Sequence, residues 1–199
     1  MDIYYKTISE SGKQMINYVC KYAPVELFKG FGQECAVLEE MPENFDKSDK
    51  IAHANLCGFG KSVIQAVLEG KVEELVLVNC CDSMRRVYDI IENTKKCKFL
   101  YMLDLPHEDN ECENIKFAQS ILRLKNAYER YSHRTFDREL FIKSFEKPLS
   151  ERKPYIGLMG VHVSSIHEKT IRENMQMDVE NMTSTSGRNL INFQKDHRN

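Results

Sequence analysis

Apolar positions along the chain switch between a helical and a strand-like rhythm. Residues 9–23 carry Met15, Val19 and Tyr22 on one stripe, which predicts a helix. Pro24 stands where a second, shorter helix can begin; Val25 to Lys29 follow, with Gly30 or Gly32 as the stop. Cys35-Ala36-Val37-Leu38 is a short apolar run of the kind a buried strand shows. Residues 61–69 place Val63, Ile64, Val67 and Leu68 inward and end at Gly70, predicting a helix. Residues 74–79 are almost continuously apolar, the mark of a parallel strand covered on both faces.

The alternation continues. Asp82 or Ser83 is the expected cap of a helix bearing Met84, Val87, Tyr88 and Ile91 at helical spacing. Residues 98–104 predict another buried strand, closed by Pro106. Asn110 with Glu113 opens a long helix through Ile115, Leu122 and Tyr131. Thr135 is the expected cap of a further helix to Lys147, which Pro148 closes. After the polar joint 150–154, residues 155–160 predict a strand, 166–174 a helix and 177–179 a short strand. Strands alternating with helices predict an α/β layered domain with a mainly parallel sheet, flavodoxin- or Rossmann-like, followed by the start of a second similar domain. The expected organisation is an N-terminal helical segment (1–33), an α/β domain (34–150) and an incomplete second α/β domain (151–199). A single β-α-β unit cannot bury both faces of its sheet, hence "incomplete".

Composition narrows the function classes. With 28 basic and 30 acidic side chains, net −2, no basic stripe points to nucleic acid or an anionic membrane surface. No apolar run reaches the roughly 20 residues of a membrane span, and the first six residues lack a signal-peptide layout. The expected location is the cytoplasm, where thiols stay reduced. The seven cysteines, an odd number, argue against a disulfide framework, and the absence of any C-x-x-C pair argues against a zinc ribbon or thioredoxin motif. Most of Cys20, Cys35, Cys97 and Cys112 are expected to be small buried apolar residues.

Cys57 and Cys81 stand at the ends of predicted strands. Ligands of open parallel sheets gather outside the carboxyl ends of the strands, so both thiols can converge on one edge. Cys81 also opens a predicted helix, whose positive dipole end favours a thiolate. Gly58 and Gly60 would let backbone approach a bulky ligand. Such thiolates suit an iron–sulfur cluster, and they equally suit two ordinary strand-end cysteines. Arg85 and Arg86 could meet a phosphate or an acidic partner, or serve as a solvated charge and a packing residue. His53, His107, His133, His162, His167 and His197 show no ligand spacing, and Gly157 with Gly160 are too few for a dinucleotide fingerprint.

Longer strings carry a resemblance. Asn79-Cys80-Cys81-Asp82-Ser83-Met84-Arg85-Arg86-Val87-Tyr88-Asp89 resembles the Cys-Asp-x-Met/Ile-Arg-Arg-x-Tyr-Asp motif of the 2-hydroxyacyl-CoA dehydratase and benzoyl-CoA reductase family. Leu56-Cys57-Gly58-Phe59, followed by Lys61-Ser62, is similar to that family's first cysteine motif. Pro24-Val25-Glu26-Leu27 with Gly30 resembles its N-terminal helix, and residues 155–160 resemble the opening strand of its second domain. Asn181-Met182-Thr183-Ser184-Thr185-Ser186-Gly187-Arg188 resembles its Asn-x-Thr-Cys-Thr-Gly-x-Arg segment.

The resemblance implies a [4Fe-4S] or double-cubane [8Fe-9S] cluster held by three cysteines, two of them at Cys57 and Cys81. Ser184 stands where the third is expected, and serine oxygen is a harder, poorer ligand for iron. It also implies electrons from an ATP-dependent iron–sulfur activator protein, and either a homodimer or a paired dehydratase subunit. The implied chemistry is radical dehydration of a 2-hydroxyacyl-CoA or low-potential reduction of a small molecule; the strings at 79–83 and 181–185 look more like the double-cubane branch. The family's chains continue past the position of Asn199. The alternatives are a truncated or degenerate relative without a cluster, acting as a binding or interaction module, and one piece of a longer protein.

Overall fold

β1 (Ile16–Tyr18), β2 (Cys35–Val37), β3 (Glu74–Val78) and β4 (Phe99–Leu103) form a four-stranded parallel sheet in the order β2-β1-β3-β4. The structure is a computed structural model that describes residues 15–39, 42–145, 154–160, 163 and 165–183. Ile16 lies opposite Cys35, Asn17 opposite Leu75, and Glu74 opposite Phe99. From β1 the chain steps to β2 on one side, then crosses to β3 on the other, which puts a topological switch point between β1 and β3.

All five residues of β3 are buried, as its unbroken apolar run requires of a strand covered on both faces. Its side chains alternate. Leu75 and Leu77 pack with Val63, Ile64 and Val67 of α2 (Gly58–Leu68) and Met84, Val87 and Ile91 of α3 (Asp82–Thr94). Burying each such side chain stabilises the fold by roughly 1.5–3 kcal/mol. On the other face Glu74 meets Tyr128 and Tyr131 of α4 (Glu111–Ser132). Tyr128 there packs edge-on against Phe28, Phe31 and Phe99, with ring centroids 5.1–5.2 Å apart. Phe28 belongs to α1 (Val25–Lys29).

The helix expected over residues 9–23 is overturned: residues 16–18 are β1, the strand between β2 and β3, while residues 9–14 lie outside the described residues. Met15 and Val19, four apart, share a face under either period, so their spacing could not choose. Pairing with strands on both sides chose, and Met15, Ile16, Asn17 and Val19 are all buried as a result. Two helix starts also move. α2 begins at Gly58 rather than Lys61. Asp137, not Thr135, caps α5 (Arg138–Lys143), its Oδ1 accepting from the amides of Glu139 and Leu140 at 2.8 and 3.1 Å. The long helix begins as its pattern predicts, with Asn110 Oδ1 accepting from the Glu113 amide at 2.9 Å.

The chain divides into two compact units, the first running to Lys147 and the second, which also takes residues 20–22, from Pro148. In the second, β5 (Tyr155–Leu158), α6 (Ser165–Met175) and β6 (Asp178–Asn181) form a parallel β-α-β unit with Ile156 opposite Val179. This is the second α/β segment its sequence pattern predicts. Its two-stranded sheet leaves Met159 78% exposed. Among the described residues no helix is long and apolar enough to cross a membrane.

Candidate functional site

Helices of a parallel β-α-β layer run back against their strands, so their N-termini collect at the carboxyl edge of the sheet. The structure puts Cys57 and Cys81 there as the N-caps of α2 and α3, with extended backbones (φ −61°, ψ 149° and φ −162°, ψ 164°). Both residues are exposed. The Gly60 amide donates to Cys57 Sγ at 3.3 Å, so the thiol fills the role a serine usually has at a helix start. Ser62 Oγ donates to the Gly58 carbonyl at 2.9 Å and tightens the same turn.

The two glycines of this turn have different reasons. A Cβ on Gly60 would lie 3.0 Å from Val87 Cγ2, so the glycine lets α2 and α3 cross closely. A Cβ on Gly58 would meet nothing within 4 Å.

Burial is the largest influence on the Cys81 sulfur and holds the thiol above its ordinary pKa. The backbone amides of Met84 and Ser83 pull the other way without overcoming it. Cys80, which the motif reading left without a role, interacts directly with the Cys81 side chain and contributes to the same upward shift. The only sequence signal for this contact was the adjacency of two cysteines just past a strand end.

Asn79 organises the turn that carries both. Its backbone N–H donates to the Leu103 carbonyl at 2.8 Å and its Nδ2 donates to Asp104 Oδ1 at 3.0 Å. Arg85 Nε donates to Asn79 Oδ1, and Arg85 also pairs with Asp82 at 3.4 Å. Arg86 pairs with Asp89 at 3.3 Å in solvent. Both guanidiniums therefore already face carboxylates of their own helix. A shallow cavity of about 430 Å³ opens beside them, walled also by Tyr88, Tyr101 and Met102.

Loop 42–57, which leads to Cys57, is clipped from behind. Buried Gln65 accepts from the Lys47 and Ser48 amides at 3.1 and 2.8 Å and donates to Glu69 at 2.7 Å; Lys61 pairs with Asp49 at 2.7 Å. In the second unit Asn181, buried at the end of β6, accepts from the Thr183 amide at 3.0 Å and its hydroxyl at 2.6 Å. It donates to the Val163 carbonyl at 3.1 Å and to Glu168. Ser184, one residue beyond, lies outside the described residues, as does His162.

Among the described residues no three His, Cys, Asp or Glu side chains converge as a metal-binding group. Two soft thiol donors at one edge suit two irons of a cluster and leave the remaining sites to other groups. The other cysteines follow the expectation only in part. Cys20 is buried and Cys35 and Cys97 are half-buried, with burial pushing the Cys97 thiol up to about 12; Cys112 is exposed.

The family model that matches the chain is 2-hydroxyglutaryl-CoA dehydratase, D-component, over residues 20–160. That stretch is more than two thirds of the chain and includes both cysteine motifs. No curated protein matches it.

Proposed function

The chain belongs to the 2-hydroxyglutaryl-CoA dehydratase D-component family, and from that we propose that it is an iron–sulfur protein with Cys57 and Cys81 as cluster ligands. What supports this is one observation: two exposed thiols open neighbouring helices at the carboxyl edge of one sheet. Thiolate is the donor iron–sulfur clusters take.

A [4Fe-4S] or double-cubane cluster, when bound, supplies one-electron chemistry at low potential. The chain's own part is positional. Gln65 fixes the loop ahead of Cys57 and Asn79 fixes the turn ahead of Cys81. Electrons come from an ATP-dependent iron–sulfur activator, and the working assembly is a homodimer or a pair with a dehydratase subunit. The substrate is a 2-hydroxyacyl-CoA undergoing dehydration or, in the double-cubane branch, a small molecule undergoing reduction.

Ser184 favours a second reading: a relative without a cluster, acting as a binding or interaction module. Anaerobic preparation with iron and sulfide, followed by metal analysis and visible absorption, separates the two. The cluster proposal expects brown protein, with iron lost in Cys57→Ser and in Cys81→Ser. Colourless protein from both the wild type and Ser184→Cys overturns it. Iron in Ser184→Cys alone makes the wild type the degenerate relative, by one residue.

A further inference from the structure

β4 is an edge strand: among the described residues no strand pairs with its far side. The backbone N–H and C=O groups of successive strand residues point alternately to the two sides. The Phe99 amide donates to the Glu73 carbonyl at 3.3 Å, and the Leu103 carbonyl accepts from the Asn79 amide at 2.8 Å. Phe99, Tyr101 and Leu103 therefore turn their backbone groups to β3. Leu100 and Met102 turn theirs to the open edge, two donors and two acceptors. Their side chains pack against the α2 and α3 layer, while Tyr101 lies with Phe99 on the α4 face, ring centroids 6.3 Å apart.

Exposed edges are normally blunted by short length, charge, proline or a bulge. β2, at the other edge of the sheet, is blunted by its three residues. β4 has five, pairs with β3 in unbroken register, and carries no charge and no proline. Its aromatic and apolar side chains are those a strand favours. Beside this edge α3 sets two carboxylates, Asp82 and Asp89, and two guanidiniums, Arg85 and Arg86, around the shallow cavity that Tyr101 and Met102 also wall. Such a rim is neutral and of mixed sign. It meets its own copy without repulsion and gives no advantage to a partner of one sign.

We propose that β4 pairs with β4 of a second copy, antiparallel across a two-fold axis at Tyr101, joining two four-stranded sheets into one. Leu100 of one copy and Met102 of the other then exchange both backbone bonds, and the reverse pair does the same, which satisfies every donor and acceptor left at the two edges. Tyr101 faces its own counterpart as a non-hydrogen-bonded pair, with Cα atoms about 4.5 Å apart. The pairing supplies an interface for the homodimer alternative above, yet it rests on the strand edge alone and does not depend on an iron cluster.

Light scattering after size exclusion reads the mass of the full chain over a dilution series. The wild type is expected at two-chain mass, falling to one-chain mass on dilution. Met102→Pro removes only a donor that faces the edge, where proline is tolerated, and should weaken association by about tenfold or more. Tyr101→Lys and Tyr101→Glu each set like charges face to face and should run as one chain, while their mixture should return to two-chain mass. If Met102→Pro does not fold by circular dichroism, this charge pair decides. In Tyr101→Cys, mild oxidation should link the peptide containing residue 101 to its own copy, because a separation of about 4.5 Å is within disulfide reach. Two-chain mass in either charge variant alone, or a mixture that stays at one-chain mass, overturns the proposal. So does one-chain mass for the wild type at every concentration, which leaves the edge to a strand of another protein. Iron is scored on separate samples: a two-chain wild type without iron sinks the cluster proposal alone, and an iron-loaded single chain sinks this one alone.

Discussion

Gly30→Ala tests how tightly the segment between α4 and α5 is wedged against α1. A Cβ at position 30 would run into the Phe136 ring, with Cζ at 2.9 Å, and would lie 3.1 Å from the Leu27 carbonyl. A free ring could swing aside, but this one is held. It packs on Phe31 and Phe141 at 5.1 and 5.5 Å, Lys125 Nζ lies 5.0 Å from its centroid, and the Asp137 amide donates to the Gly30 carbonyl at 2.7 Å. Overpacking of this kind costs about 1–3 kcal/mol. Against it stands about 0.4–1 kcal/mol gained by stiffening the unfolded chain, since Gly30 has an ordinary helical φ of −61°. At mid-range the clash wins by about 1.3 kcal/mol. At about 2–4 °C per kcal/mol for a chain of this size, thermal unfolding followed by circular dichroism should show a melting temperature lower by roughly 3–5 °C. In a Phe136→Ala background the same glycine change should cost nothing, because the two residues share one contact. A Gly30→Ala protein melting at or above the wild type, or a penalty undiminished by Phe136→Ala, refutes the wedge.

Other outcomes follow from the same geometry. Glu74 is buried against β4 and α4, and desolvation raises its pKa despite the hydroxyls of Tyr131 and Tyr128 at 3.0 and 3.5 Å. A carboxyl whose folded pKa exceeds its unfolded value contributes stability that is complete below the unfolded value, near 4.5, and is lost as pH rises through the folded one. Urea midpoints should fall over that window in the wild type and flatten in Glu74→Gln; equal slopes would contradict the assignment. Gln65→Ala strands the Ser48 amide in the interior at a cost of about 1–3 kcal/mol, and limited proteolysis should open the 45–52 segment; an uncut loop counts against the clip. Cys57→Ser keeps an N-cap oxygen and should melt within a few degrees of wild type, whereas Cys57→Ala loses about 0.5–2 kcal/mol. Equal iron loss in both, by metal analysis, would separate ligation from capping. Asn181→Ala removes the acceptor of the buried Thr183 amide, and amide exchange at Thr183 should accelerate at least tenfold, the equivalent of about 1.4 kcal/mol; unchanged exchange would count against that bond.

The sequence by itself determined the alternating architecture and the strands that matter most to it. β3 and β4 are legible because a strand covered on both faces must be apolar nearly throughout, and the caps at Asn110 and Gly70 follow from local chemistry that needs no partner. It also carried the family, through strings around Cys57 and Cys81. Only the tertiary structure decided β1: three residues hold too few side chains for a period, and what makes them a strand is hydrogen bonding to β2 and β3, distant in sequence. The same holds at the candidate site. That Cys57 caps a helix, that Gly60 is a helix-crossing residue and that burial raises the Cys81 thiol all depend on where neighbouring elements pack. Contacts across a sheet edge leave no periodic trace in the chain that makes them.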